Sequence, residues 1–302
     1  MTLPEGLATA ASLKRKPRDD ELDVYGLTHP GRVRRSNQDH FLLATIHKRV
    51  SLVQSSLSET DTLPFGDQRL AYIRMIADGV GSGEGETASR TTLEIATQYV
   101  ASSMNCYYGA DPSEASFVDA LQEAAMRCHT AVEERKKESE ARSMATTLTL
   151  WMGVWPWYYV LQVGDSRYYL YRDGKLTQLS RDQTVAQDLL DQGVFSRADA
   201  ARSRFASVLS SAIGGQNTMP VVTRMQADWR NVHLMCSDGL TKHVSDEKIA
   251  ERLAAMTSAK QVCEQLRDDA LEDGGTDNVT IIVGRAMPKP LPAEDPKGMV
   301  GR

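Results

Sequence analysis

Hydrophobic and polar positions along the chain fall into two periods. Alternating or short continuous apolar runs predict strands near 22–28, 40–47, 69–77, 145–154, 157–164, 167–172, 220–226, 231–236 and 278–285. Between them the apolar residues recur at helical spacing. Over 86–104, Ala88, Ile95, Ala96 and Val100 share one face; over 113–138, Phe117, Leu121, Ala125, Cys128 and Val132 form a buried stripe behind Asp111-Pro112 as cap and first position. A later pair covers 245–256 and 258–272, the first opened by Ser245 as N-cap with two acids in its first turn, the second by a Ser258/Gln261 capping box. Strands in runs, interrupted by helix pairs, predict mainly antiparallel sheets covered by helices.

Several segments stand outside this pattern. Residues 143–164, "SMATTLTLWMGVWPWYYVLQVG", carry no charge and have the length of a membrane span, but Thr147, Leu148, Thr149 and Leu150 alternate and "WPW" punctuates the run, so two adjacent strands joined by a turn are expected. Residues 48–68 read as a long Ser-rich hairpin connection. Residues 182–215 read as a polar helical insertion with a break at Gly193, either a mobile flap over a site or an ordinary surface excursion. Residues 1–21 are expected to be a flexible tail, 22–286 one domain, and the Pro-rich 287–302 a second tail.

The composition narrows the class. With 302 residues, 41% hydrophobic and 25% charged, the chain can bury a sizeable core in one large domain. A net charge of −5 without a basic stripe argues against nucleic acid as a partner. No apolar core of signal-peptide type stands at the N-terminus, no membrane span is expected, and Cys106, Cys128, Cys236 and Cys263 form no C-x-x-C pair, which suits a reducing, cytoplasmic location.

The chemistry concentrates where strands end. "MIADGVGSGEGE" at 75–86 has too irregular a glycine spacing for a dinucleotide fingerprint and lacks the Gly-Lys-Ser/Thr of a Walker loop. Taken alone, Asp78-Gly79 reads as a hairpin turn, but the helical spacing that follows makes the motif strand, Asp-Gly, helix. "VHLMCSDG" at 232–239 repeats it with Asp238. Asp165 ends the strand of "VLQVGDS", and Asp277-Asn278 precede the strand of "GGTDNVTIIV". Four aspartates at strand ends can converge, and converging carboxylates without lysine or arginine between them repel. A divalent cation removes the repulsion, and all-oxygen ligation favours magnesium or manganese over zinc, with glycines letting backbone carbonyls approach.

Together these motifs resemble the metal-dependent protein phosphatase family, the type 2C serine/threonine phosphatases, in its bacterial form. The resemblance runs from about 23 to 285: "GRVRRSNQDHFLL" at 31–43, "ADGVGSGEGETAS" at 77–89, "ATTLTL" with "VGDSRYYLYRDGKLTQLSRDQT", "SSAIGG" at 210–215, "LMCSDGL" at 234–240 and "GGTDNVTIIV" at 274–283 stand in family order. It implies an α+β fold, a four-layer α-β-β-α sandwich with two antiparallel sheets flanked by helix pairs and a metal site at one end. It implies two Mn2+ or Mg2+ ions, with a third as in bacterial members, and hydrolysis of phosphoserine or phosphothreonine by a metal-bridging water. By motif position Asp78 bridges two metals and the Gly79 carbonyl ligates the second. Asp238 and Asp277 hold the first metal, Asp165 with Asp238 the third. Asp39 orients metal-bound water, and Arg34 grips the phosphate in preference to Arg32 or Arg35.

The residues themselves agree on one point: no Cys-x5-Arg loop exists, because counting from Cys236 reaches Lys242. Cys236 reads as a packing residue, and Asn278 as orienting Asp277 or a water. There are departures too. Gln38 stands where the family carries Glu, a neutral metal ligand expected to weaken the second metal. The Asp-Gly loop is a residue short, Gly83 or Glu84 replaces its usual histidine, and Gln183 stands where histidine is common. The resemblance implies phosphorylated proteins as partners, substrates of a serine/threonine kinase and the kinase itself, in signalling. The competing reading is a catalytically weak member acting as a phosphoprotein-binding regulator.

Overall fold

A computed structural model describes residues 15–54, 56, 66–81, 83–102, 114–139 and 143–290. Two antiparallel sheets stack face to face. The first has the order β1 (Leu22–His29), β11 (Val279–Ala286), β10 (Val232–Cys236), β7 (Arg167–Arg172), β8 (Lys175–Gln178). The second has the order β2 (Asp39–Val50), β3 (Gly66–Val80), β5 (Leu148–Val154), β6 (Trp157–Val163), β9 (Val221–Gln226), with the short β4 (Ala145–Thr146) paired to the end of β3.

Three apolar layers explain why the pattern along the chain looks as it does. Helices α1 (Gly85–Ser102) and α2 (Glu114–Glu138) cover the outer face of the second sheet, and the stripe Phe117, Leu121, Ala125, Cys128, Val132 is buried there as its spacing requires. On the first sheet lie α6 (Asp246–Ala254) and α7 (Ala259–Glu272), which bury Ile249, Leu253, Val262, Cys263 and Leu266. Ile76, Trp151, Tyr168, Met235 and Ile282 fill the space between sheets. This is the expected α-β-β-α sandwich. Thr147, Leu148, Thr149 and Leu150 are all buried, because both faces of β5 are covered; an alternating pattern here marks which layer each residue enters.

Several boundaries differ from expectation. β8 goes unforeseen, yet it closes a two-residue hairpin whose Asp173 and Gly174 both have positive φ (49° and 82°), the geometry that Asp-Gly favours. β2 and β3 extend into the segment read as a connection, pairing through Val50 and Gly66 across a register shift at Ile46/His47. Asp78 and Gly79 lie inside β3, which runs on to Val80. Ser258 caps α7 by accepting from Gln261 N, but the Gln261 side chain accepts from Thr257, so the reciprocal half of a capping box is replaced. Asp111-Pro112 and Cys106 lie outside the described residues.

The packed domain also reaches beyond 22–286. Glu21, 1% exposed, accepts hydrogen bonds from Arg15 and Arg18 N at one side and Lys289 N at the other, while Trp229 Nε1 donates to the Arg15 carbonyl. Residues 15–21 and 287–290 are thereby fastened to each other rather than forming tails; 1–14 and 291–302 lie outside the described residues. In the insertion, α3 (Val185–Asp191) and α4 (Arg197–Arg202) stand on a stem closed by Val185 N to Val208 O and Ser210 N to Gln183 O.

Candidate metal centre and phosphate site

The five predicted acids come from both sheets and meet at one end of the sandwich. Asp39 opens β2 and sits directly across from Asp78 on β3. Asp165 lies in the turn that carries the chain from β6 in one sheet to β7 in the other. Asp238 opens a single helical turn, α5 (Asp238–Thr241), behind the N-cap Ser237, and Asp277 immediately precedes Asn278 and β11. Backbones approach closely here. A Cβ on Gly79 would lie 2.3 Å from the Gly85 carbonyl oxygen and 2.7 Å from that of Gln38, and one on Gly239 would lie 1.9 Å from the Asn278 carbonyl oxygen. Glycine is required for the strand ends to gather, a more specific role than leaving room for an ion.

Each acid has its own support. Asp39 is 3% exposed; its Oδ2 accepts from Ser237 Oγ at 2.8 Å and Thr280 Oγ1 at 2.7 Å, joining the two sheets, while its Oδ1 is buried with no donor. Burial raises the Asp39 pKa, against the two hydroxyls that lower it. Burial, then repulsion from Asp39, Asp238, Asp165 and Asp277, raises that of Asp78. Asp165 is raised by burial, then by Asp238 and Asp182. A cluster in which each carboxylate penalises the next is the electrostatic condition a divalent cation relieves.

The assumption that no basic side chain intervenes is corrected. Lys242 Nζ lies 2.6 Å from Asp238 Oδ2 and 2.8 Å from Asp277 Oδ2. Arg34 forks onto Asp277, Nε at 2.7 Å and Nη2 at 2.9 Å. Burial pushes the Asp277 carboxyl up, but these donors outweigh it and hold it below the usual carboxylate range. In this arrangement two of the acids spend their charge on side chains, and among the described residues no three acids stand as a ready ligand cage. Lys242 went unnoticed as a site residue although a lysine four positions after a helix-opening aspartate is a readable pairing.

Other residues tie the site together. Asn278 does not turn its side chain to Asp277: its Nδ2 donates to the Pro30 and Ser36 carbonyls and its Oδ1 accepts from Gln38 N, pinning the 30–38 loop, while its backbone N–H serves Asp277. Gln183, in place of histidine, accepts from Gly164 N beside Asp165 and donates to the Met219 carbonyl. Thr147 Oγ1 is 2.8 Å from Ser166 Oγ and accepts from Asp78 N. Cys236 is fully buried, its thiol pushed up to about 12 chiefly by burial, in keeping with a packing role.

The donor set fits a hard divalent cation. Residues that could hold one are the Asp78, Asp165, Asp238 and Asp277 carboxylates with the Gln38 amide oxygen and the Gly79 carbonyl, all oxygen donors, and the unserved Asp39 Oδ1 belongs to the neighbouring acid.

Comparison with known proteins assigns a family to this two-sheet sandwich with acids gathered at one end. Residues 51–273 match the model of the family described as protein phosphatase 2C. The chain belongs to that family. Arg34, Gln38, Asp39 and Asp277 fall outside the matched span. The chain is 33% identical over 214 residues to the serine/threonine protein phosphatase PstP of Mycobacterium tuberculosis, a match covering 70% of this chain and 40% of the relative, so it spans well under half that protein's length. The crystal structure of M. tuberculosis PstP/Ppp superposes with a TM-score of 0.69 at 27% identity, over 88% of this chain and 99% of that one. The PstP catalytic domain in complex with two manganese ions gives 0.68 at 27% identity, over 88% and 98%.

Proposed function

We propose that the chain is a metal-dependent serine/threonine protein phosphatase that hydrolyses phosphoserine and phosphothreonine in proteins. The observation that carries this reading is the meeting of Asp39, Asp78, Asp165, Asp238 and Asp277, drawn from both sheets, around a buried carboxylate oxygen with no donor. Asp78, Asp238, Asp277 and the Gly79 carbonyl would hold two Mn2+ or Mg2+ ions, Gln38 would serve the second, and Asp165 with Asp238 a third. When bound, such ions supply a hydroxide at neutral pH and neutralise phosphate charge. Asp39, fixed by Ser237 and Thr280, orients the attacking water. Arg34, a planar fork now on Asp277, would turn to two oxygens of the phosphate only once metal is bound at the acidic end.

The substrates are phosphorylated proteins and, among them, the opposing kinase. Cys128, Cys236 and Cys263 are free and buried, which supports a reducing, cytoplasmic setting. No helix among the described residues is long and apolar enough to cross a membrane. Hydrolysis of a phosphothreonine peptide with manganese, with magnesium and with chelator tests the reading; full activity in excess chelator would refute it. The regulator reading draws its support from Lys242, a cation already seated between two of the acids. Phosphopeptide binding without turnover at saturating manganese would favour it.

A further inference from the structure

At the end of the sandwich opposite the acids, a small cavity opens between the sheets. It offers about 40 Å³ of room for water-sized groups, where a single water needs roughly 10–15 Å³. Four cations stand around it: Lys16, Arg69, Arg74 and Arg285, with His233 and an aromatic wall that includes Trp151 and Tyr158; among the described residues no aspartate or glutamate lines it.

Two of the cations are neutralised from outside. Arg69 pairs with Asp19, and Arg285 Nε lies 3.1 Å from Asp23. The other two form no ion pair among the described residues. Lys16 Nζ donates to the Arg69 carbonyl, a neutral acceptor. Arg74 is 3% exposed, and its Nε and Nη1 are buried with no acceptor; the guanidinium lies by ring faces, 4.1 Å from Trp151 and 5.3 Å from Tyr72, and against Gly284, where a Cβ would come within 2.6 Å of it. The Trp151 indole nitrogen is near the Tyr168 hydroxyl but completes no hydrogen bond. Burial lowers the Arg74 pKa, and burial then Arg69 lowers that of Lys16 against a smaller opposing pull from Asp19.

Cation–π contact offsets part of the cost of a buried guanidinium but leaves its donors unserved. Donors without acceptors, under net positive charge and in a space of this size, call for a small ligand rich in acceptors and negative charge. We propose that this cavity binds one small oxyanion of the phosphate or sulfate class through Arg74, with Lys16 contributing charge at its rim. The site is distinct from the acidic end. Arg74 and Asp78 lie on the same face of β3, four residues or about 13 Å apart along the strand, with Ile76 between them.

Calorimetric titration of the chelator-treated full chain with sodium phosphate, sodium sulfate and sodium chloride tests this. One equivalent of phosphate or sulfate is expected to bind, with chloride at least tenfold weaker. Arg34→Ala should leave that binding unchanged, and Arg74→Met should weaken it at least tenfold while keeping the wild-type circular dichroism. Phosphate binding lost in Arg34→Ala but kept in Arg74→Met would assign it to the acidic end and overturn the proposal. So would the absence of saturable oxyanion binding, or chloride binding as tightly. If Arg74→Met fails to fold, Lys16→Met replaces it: a severalfold loss of affinity is expected, and an unchanged affinity overturns the proposal.

Discussion

Replacing Lys242 with methionine should make the protein bind metal more tightly and fold less stably without metal. The ammonium makes two charge-assisted hydrogen bonds, at 2.6 and 2.8 Å, to the carboxylates proposed to hold the first ion. Such bonds contribute about 1.5–3 kcal/mol each when buried. The Lys242 side chain is 35% exposed, so solvent screening reduces each to about 1 kcal/mol. Burial alone would lower the Lys242 pKa, yet the two acids outweigh it and raise it, so the lysine stays charged and competes wherever the two acids are ionised. A metal ion must displace both bonds, a cost of about 2 kcal/mol, which corresponds to roughly 30-fold in affinity. Lys242→Met removes that competitor and leaves Asp238 without its partner, so the metal-free variant should lose about 2 kcal/mol of stability. Calorimetry with manganese measures the first effect and chemical unfolding in chelator the second. The two must move in opposite directions. A correctly folded variant with unchanged or weaker manganese affinity would refute the reasoning.

Four further outcomes follow. Asp78→Ala and Asp238→Ala should each reduce phosphopeptide turnover to background at saturating manganese, measured by phosphate release. Gln38→Glu should lower the metal concentration for half-maximal rate and leave the saturated rate within about tenfold, about 1.4 kcal/mol, because a carboxylate attracts the ion where an amide does not; calorimetry reads the affinity separately. Arg34→Ala should raise KM more than it lowers kcat, and a larger KM effect from Arg32→Ala or Arg35→Ala would move the role to that residue. Burial pushes the Glu21 carboxyl up, but hydrogen bonds from Arg15, Arg18 N and Lys289 N outweigh it and hold the pKa at about 2. Its stabilisation is therefore complete above the ordinary carboxylate value and disappears as pH falls from about 4.5 towards 2. With Arg15 a third exposed, this amounts to roughly 2 kcal/mol, so Glu21→Gln should be destabilised at pH 7 and match wild type near pH 2 in denaturant titrations.

The layers were readable because burial repeats with the period of each element. The stripe of α2 and the strands around Ile76 and Ile282 announce themselves through spacing alone. The aspartates were readable for another reason: an acid at the end of an apolar strand is costly unless something compensates it. What escaped was set by partners distant in sequence. Lys242 becomes a site residue only because Asp277, 35 positions on, folds beside Asp238. Asn278 turns to the 30–38 loop rather than to its neighbour because that loop brings three hydrogen-bonding groups to it. Glu21 looked like tail because its partner Lys289 lies at the other end of the domain. The short β8 carried its signal in Asp173-Gly174, obscured by the larger Asp-Gly motifs around it.

The hydroxyls of Ser237 and Thr280, one from each side of the β10–β11 pair, close on a carboxylate that belongs to the opposite sheet. The acidic end of the molecule thus works as the jaws of a caliper whose opening is set by the thickness of the filling between the plates. Side chains such as Ile76, Met235 and Ile282 act as shims. A methylene gained or lost among them changes the gap at the jaws before it threatens the hold of either plate on its own helices. A change in that inner layer would consequently alter how the acids of the two sheets face one another while leaving each sheet seated on its own helices.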